Sequence, residues 1–261
     1  MSSSLPPEIL DLIFHHLRDE PITLRACCLV SKSWVPWTRG HLFARVKFHS
    51  SRLFERWMKA FPDPFSSPAH YTRALHCSLN LFNAAGSDAR PWVHSFNRIV
   101  ELRVMSVGDE SQVSFAQLHG LSPTLRRLKL VRGCISPPQV LDFACSFPLL
   151  EDLELSSSPH PKLDTDGWDV PPTSPRLTGS LSMTGDNRYI MRKLLDLPGG
   201  LRFTKITILC PIKNGDLMEQ LVSRCSDTLE SLRVEYCYPG AYPAASAIGR
   251  FLIATYRHGH V

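Results

Sequence analysis

Seven short segments in which apolar and polar residues alternate recur along most of the chain: RALHCSL, IVELRVM, LRRLKLV, LEDLELS, LTGSLSM, FTKITIL and LESLRVE. Alternation puts successive side chains on opposite faces, so each segment reads as a strand with one buried face. One anchor from each, Leu75, Leu102, Leu128, Leu153, Leu181, Ile206 and Leu232, gives separations of 27, 26, 25, 28, 25 and 26 residues. A strand repeated every ~26 residues cannot bury its apolar side alone and must stack against its neighbours. The gaps carry helical stripes: Val140, Leu141, Ala144 and Phe147, then Ile190, Met191, Leu194 and Leu195, then Leu217, Met218, Leu221, Val222 and Cys225.

Several segments take the fuller form Leu-x-x-Leu-x-Leu, as in Leu125, Leu128 and Leu130 or Leu150, Leu153 and Leu155. Cys134 and Cys237 stand three to four residues past their strands, where an Asn or Cys turns the chain. The pattern resembles the leucine-rich repeat, whose period is ~20 to 29 residues. That resemblance implies an α/β body over residues 67–261, a curved solenoid with parallel strands on one face and helices on the other. Residues 156–175, with five prolines and no period, read as a long loop replacing one helix. AIGRFLIATYRH reads as helical with no polar capping repeat after it, so either this helix caps the stack or the chain is shorter than its relatives.

In such a body the residues between the repeated leucines line the open face. Its middle positions are Arg103, Lys129, Glu154, Ser182, Thr207 and Arg233, flanked by Glu101, Arg127, Asp152, Lys205 and Glu235. Both signs occur there, which suits a polypeptide of complementary charge and repels a polyanion at each carboxylate. Arg103, Arg127, Lys129, Glu154, Lys205 and Arg233 are therefore the candidate target-binding residues, and no nucleic acid is expected as a partner. The overall balance agrees, since 29 basic against 24 acidic side chains leaves no strongly basic block.

The first fifty residues follow a different pattern. In LPPEILDLIFHHL, Pro6 and Pro7 suit a helix entry, and Ile9, Leu10, Ile13, Phe14 and Leu17 form one apolar stripe with Glu8, Asp11, His15 and Arg18 outward. Pro21 is expected to end that helix. Leu24, Cys27, Cys28 and Val30 continue in a second helical pattern toward Trp34, where Pro36 limits further helix. A module of ~45 residues is near the size below which one core seldom suffices, so part of this surface is expected to be covered by another protein or by the rest of the chain.

LPPEILDLIFHHL followed by LRACCLVSKSW resembles the F-box, and the continuation WVPWTRGHLFARVKF resembles fungal F-box proteins in particular. The resemblance covers residues 4–48. It implies docking to the small adaptor subunit of cullin-RING (SCF-type) ubiquitin ligases, and through it to a cullin. The residues carried over for adaptor binding are Leu5, Pro6, Ile9, Leu10, Ile13, Phe14, Leu17, Leu24, Val30 and Trp34. A linking segment over residues 49–66 carries one more helix, RLFERWMKAF (52–61), with Leu53, Phe54, Trp57, Met58 and Phe61 on its stripe and its end at Pro62.

Other classes are excluded residue by residue. The N-terminus has no basic region before an apolar run, and nowhere do 18 apolar residues run uninterrupted, so neither a signal peptide nor a membrane span is expected. Eight cysteines without a Cys-x-x-Cys pair read as reduced, mostly buried thiols of the cytoplasm or nucleus. No Gly-x-Ser-x-Gly elbow or phosphate-cradling Gly-x-x-x-x-Gly-Lys-Ser/Thr loop is present, and Cys27 and Cys28 fall on an apolar helix face that disfavours a thiolate. Asp11, His15 and Asp19 read as the wet side of a helix rather than a metal site, so no metal or cofactor is expected. Ser-Pro steps at Ser67, Ser158 and Ser174 are candidate phosphorylation sites. The sequence thus points to a non-catalytic substrate-recognition subunit of an SCF-type ligase. The alternative is a protein-binding scaffold with a vestigial F-box and no part in ubiquitin transfer.

Overall fold

A computed structural model describes residues 5–78, 90–105, 115, 118, 121, 123–131, 137–156, 177–211, 214–237 and 251–257. Three helices open it: α1 (Pro7–His16), α2 (Pro21–Val30) and α3 (Val35–Leu42), the last preceded by a 3-10 turn at Lys32–Trp34. Each carries proline in its first turn, where the missing N–H has no partner inside the helix anyway. Pro21 and Pro36 therefore start helices, which corrects the expectation that they stop them. The first helix ends earlier, at His16, where the N–H of Leu17 still donates to the Ile13 carbonyl at 3.2 Å.

Both α1 and α2 pack on α3, and this head has a small core of its own. Leu10, Phe14 and Leu24 are buried, surrounded by Leu17, Cys27, Trp34, Trp37 and Leu42. The ring of Trp34 meets Phe14 edge-on with centroids 5.6 Å apart. Thr38 is buried as well; its hydroxyl donates to the Trp34 carbonyl at 2.9 Å and lies 2.9 Å from the Cys28 sulfur, which ties α2 to α3.

The next strand, β1 (Arg45–Phe48), belongs to the sheet, although its sequence continues the head's motif. Val46 and Phe48 enter the body's core, and β1 pairs in parallel with β2 (Ala74–Ser78). The linking helix is α4 (Ser51–Ala60). Phe54 is buried and Trp57, Met58 and Phe61 pack against the core, but Leu53 faces solvent. Phe43, just past α3, sits edge-on to Trp57 at 5.7 Å and fastens the head to the body.

The remaining strands are β3 (Glu101–Met105), β4 (Arg127–Val131), β5 (Asp152–Ser156), β6 (Leu177–Thr184), β7 (Leu201–Pro211), β8 (Ser231–Cys237) and β9 (Phe251–Arg257). They lie in sequence order in one sheet; β1 to β8 are all parallel. The register is the strongest statement of the repeat. Leu75 stands beside Leu102, then Leu128, Leu153, Leu181, Ile206 and Leu232, and Val46 extends the row at the front. Burying each such rung stabilises the sheet by ~1.5 to 3 kcal/mol.

Helices α5 (Arg90–Ser95), α6 (Pro137–Cys145), α7 (Arg188–Leu195) and α8 (Gly215–Arg224) join successive strands; α6 packs on α7 and α7 on α8. Leu141, Leu194 and Leu221 from these helices share one continuous core with the strand leucines. Two equivalent threonines bind neighbouring repeats together. Thr124, four residues before Leu128, donates to the Ile99 carbonyl at 3.1 Å, and Thr228, four before Leu232, donates to the Phe203 carbonyl at 3.2 Å.

The segment read as a final helix contains β9, which is antiparallel to β8. Cys237 is the last residue of β8 rather than a residue beyond the strand, and Cys134 lies outside the described residues. The long loop at 156–175 likewise falls outside them, apart from Ser156 at the end of β5.

Burial sets the chemistry of the thiols. It pushes Cys77 up to about 12, and Cys145 up to about 11 with help from the Asp142 charge; Cys225 is also raised. The thiolate is the reactive form. Cys77 and Cys225 should therefore resist iodoacetamide at pH 8 in the folded protein and react only after urea unfolding, as peptide mass mapping would record.

Candidate functional site

The apolar residues of the head divide into two sets. Leu10, Phe14 and Leu24 are its core, with Leu17 and Trp34 packed around them, so these five hold the head together. This corrects the reading of Leu10, Phe14 and Leu24 as adaptor-contacting surface, because a side chain sealed against its own helices has no area left for a partner. The other set is open. Leu5, Pro6, Ile9 and Ile13 of the expected residues are exposed, and so is Val30 at 66%.

Sequence reasoning missed three members of that open set. Leu12 is 55% exposed, Ile22 80% and Leu29 89%. Ile22, Leu29 and Val30 recur at helical spacing on α2, as Leu5, Ile9, Leu12 and Ile13 do along α1 and its entry. Seven large aliphatic side chains within 26 residues thus stand in water on two helices that share α3 as their support. Singly exposed apolar residues are ordinary, whereas a concentration of this kind marks an interaction surface.

Polar contacts fix α1 to α3 and the head to the body. His41 Nε2 lies 3.0 Å from Asp11 Oδ1, and Arg45 at the start of β1 pairs with Asp19. The hydrogen bond from Arg45 holds the Asp19 carboxyl below its ordinary value. Asp11 and Asp19 are therefore engaged with His41 and Arg45. Among the described residues, no group of three or more His, Cys, Asp or Glu is placed to hold a metal.

Residues 2–46 match the F-box-like family. F-box-like domains generally bind Skp1-type adaptors of ubiquitin ligases and are typically found in non-catalytic subunits. No curated protein matches the chain. The open apolar set lies wholly inside the F-box-like segment, and none of it is covered by the sheet or its helices.

The second candidate surface is the open face of the sheet. The register brings Lys47, His76, Arg103, Lys129, Glu154, Ser182, Thr207 and Arg233 into one row, each beside the next, and all are at least partly accessible. Arg127 stands between Glu101 and Asp152 in a parallel row, and Lys205 lies beside Ser180. Thus all six expected target-binding residues lie on strands of the same sheet. Burial lowers the His76 imidazole from its ordinary value against the opposing pull of Glu101. Of the Ser-Pro steps, Ser67 is buried and donates to the Pro64 carbonyl at 2.7 Å, which leaves it closed to a kinase; Ser158 and Ser174 lie outside the described residues.

Proposed function

We propose that this protein is a non-catalytic substrate-recognition subunit of an SCF-type cullin-RING ubiquitin ligase. The F-box-like head docks the adaptor, and a leucine-rich-repeat-like body, similar to those of fungal F-box proteins, holds a target in the cytoplasm or nucleus. Its contribution is proximity: a held target presents its lysines to a charged enzyme at high effective concentration. The observation that carries the reading is the open row of Leu5, Ile9, Leu12, Ile13, Ile22, Leu29 and Val30 in a segment that matches the F-box-like family. The repeat spacing and the registered leucines support the reading of the body.

Because Leu5 and Ile9 are exposed, truncating them removes docking area without opening the head's core. Leu5→Ala with Ile9→Ala should raise the Kd for a purified Skp1-type adaptor by on the order of 30-fold, since each anchor in an interface is worth ~1 kcal/mol or more. Circular dichroism should be unchanged. Adaptor capture by the double variant at wild-type strength would overturn the reading and leave the scaffold alternative.

A further inference from the structure

The open face carries both signs, but the register sorts them. On β1 to β4, one row holds Lys47, His76, Arg103 and Lys129 and the other holds Arg45, Glu101 and Arg127. That is five fixed cations against one carboxylate. Strands β5 and β6 then present Asp152, Glu154, Ser180 and Ser182, with two carboxylates and no cation. The basic block adjoins the head, where Arg18 and Arg73 continue it along an open cleft.

Internal pairing leaves part of this charge unanswered. Lys129 pairs with Glu154, Arg127 approaches Glu101 at 3.6 Å, and Arg45 pairs with Asp19. Lys47 has no carboxylate partner among the described residues, and the Arg103 Nε is buried without an acceptor.

We propose that the β1–β4 half of the open face binds an extended, Asp/Glu-rich segment of the target polypeptide, an inference that rests on the body being the target-binding part. The cations are spread rather than convergent: neighbouring strands lie ~4.8 Å apart and same-face positions along a strand ~7 Å apart. Spread cations fit carboxylates distributed along a chain better than one dianionic group, which needs several donors aimed at a point. The one aromatic ring in the two rows on β1 to β4 is the His76 imidazole, and no Phe, Tyr or Trp stands there, so the face lacks the succession of stacking platforms with which proteins hold single-stranded nucleic acid. The carboxylates of β5 repel an acidic chain and limit the site to the four strands next to the head.

The test uses the full chain and a fluorescein-labelled octamer of glutamate, read by fluorescence anisotropy. The octamer should bind at ~50 mM NaCl and weaken about tenfold or more at ~500 mM, because contacts between exposed charges are screened. Lys47→Ala, Arg103→Ala and Lys129→Ala together should weaken it on the order of tenfold, while Lys205→Ala with Arg233→Ala on β7 and β8 should change it less than about twofold. Lys47→Ala alone disturbs no internal pair and should still weaken binding about twofold, which guards against misfolding of the triple variant. Equal binding of a glutamine octamer, unchanged affinity of the triple variant, or tighter binding of a singly phosphorylated neutral peptide or of single-stranded RNA would each overturn the proposal. Adaptor capture is measured on the same samples. Capture without octamer binding overturns this inference and leaves the receptor reading standing; octamer binding without capture supports the basic site and overturns that reading.

Discussion

Gly179→Ala should destabilise the protein by about 4 kcal/mol or more, combining positive-φ strain with overpacking against a backbone that cannot yield. Gly179 lies in β6 at φ +80°, a region that side-chain-bearing residues seldom occupy. A Cβ there would overlap the carbonyl oxygen of Glu151, which already accepts the Ser180 N–H at 2.6 Å. Both groups belong to the backbone at the β5–β6 junction, so neither can step aside as the end of a flexible side chain would. The same place is a bulge, where the β6–β7 register skips Thr204 and the Thr204 hydroxyl donates to the Gly179 carbonyl at 3.3 Å. At ~2 to 4 °C per kcal/mol, the thermal midpoint should fall by about 10 °C. Gly200→Ala is the control: φ is +73° but nothing lies within 4 Å of the added carbon. It should cost only ~1 to 2 kcal/mol of left-handed strain. Equal shifts for the two substitutions, measured by circular dichroism melting, would show that the collision carries no cost.

The contrast between these glycines indicates which level of the fold a sequence can reveal. The leucine ladder is legible because burial repeats at a nearly constant interval, and all seven chosen anchors stand side by side in the sheet. Strand β1 escapes the same reasoning for a physical reason. Val46 precedes Leu75 by 29 residues, because α4 and the 3-10 turn at Pro68–Tyr71 lengthen that interval, and its four residues continue the head's own motif. Strand β9 escapes because an apolar run as short as FLIATY has no period that distinguishes strand from helix.

The candidate surfaces were partly legible. The F-box resemblance carries the apolar stripe over as one docking surface, so it includes Leu10, Phe14 and Leu24, which are buried, and omits Leu12, Ile22 and Leu29, which are exposed. On α1, apolar residues occupy too wide an arc for one helix to bury, and only packing on α3 decides which part of the arc is covered. Charge sorting on the sheet is likewise a property of register. In the sequence Lys129 and Glu154 are 25 residues apart; in the sheet they are neighbours and mark the border between the basic and acidic blocks.

Phe14→Ala is expected to unfold the head while leaving the body intact. Phe14 is 1% exposed and is the largest of the three side chains in the head's core, with Trp34 edge-on at 5.6 Å. Truncating a buried phenylalanine costs ~3 to 5 kcal/mol. A module of this size seldom has more than ~3 to 5 kcal/mol to lose, so the substitution removes about all of it. The body's core contains none of Leu10, Phe14 or Leu24, and its ladder begins at Val46. Helical ellipticity should therefore fall, limited proteolysis should open sites within residues 7–42, and the melting midpoint of the sheet should move by less than about 2 °C. Adaptor capture should disappear too, but for a different reason than in the Leu5 and Ile9 variant, which keeps its helices. Excess adaptor should partly restore the helices of the Phe14 variant, since a ligand that binds only the folded head shifts its equilibrium by mass action. A single transition lowered as a whole would instead mean that Phe43 on Trp57 and Arg45 on Asp19 couple the two cores into one folding unit. In that case the head could not order on its adaptor independently of whether the body is folded.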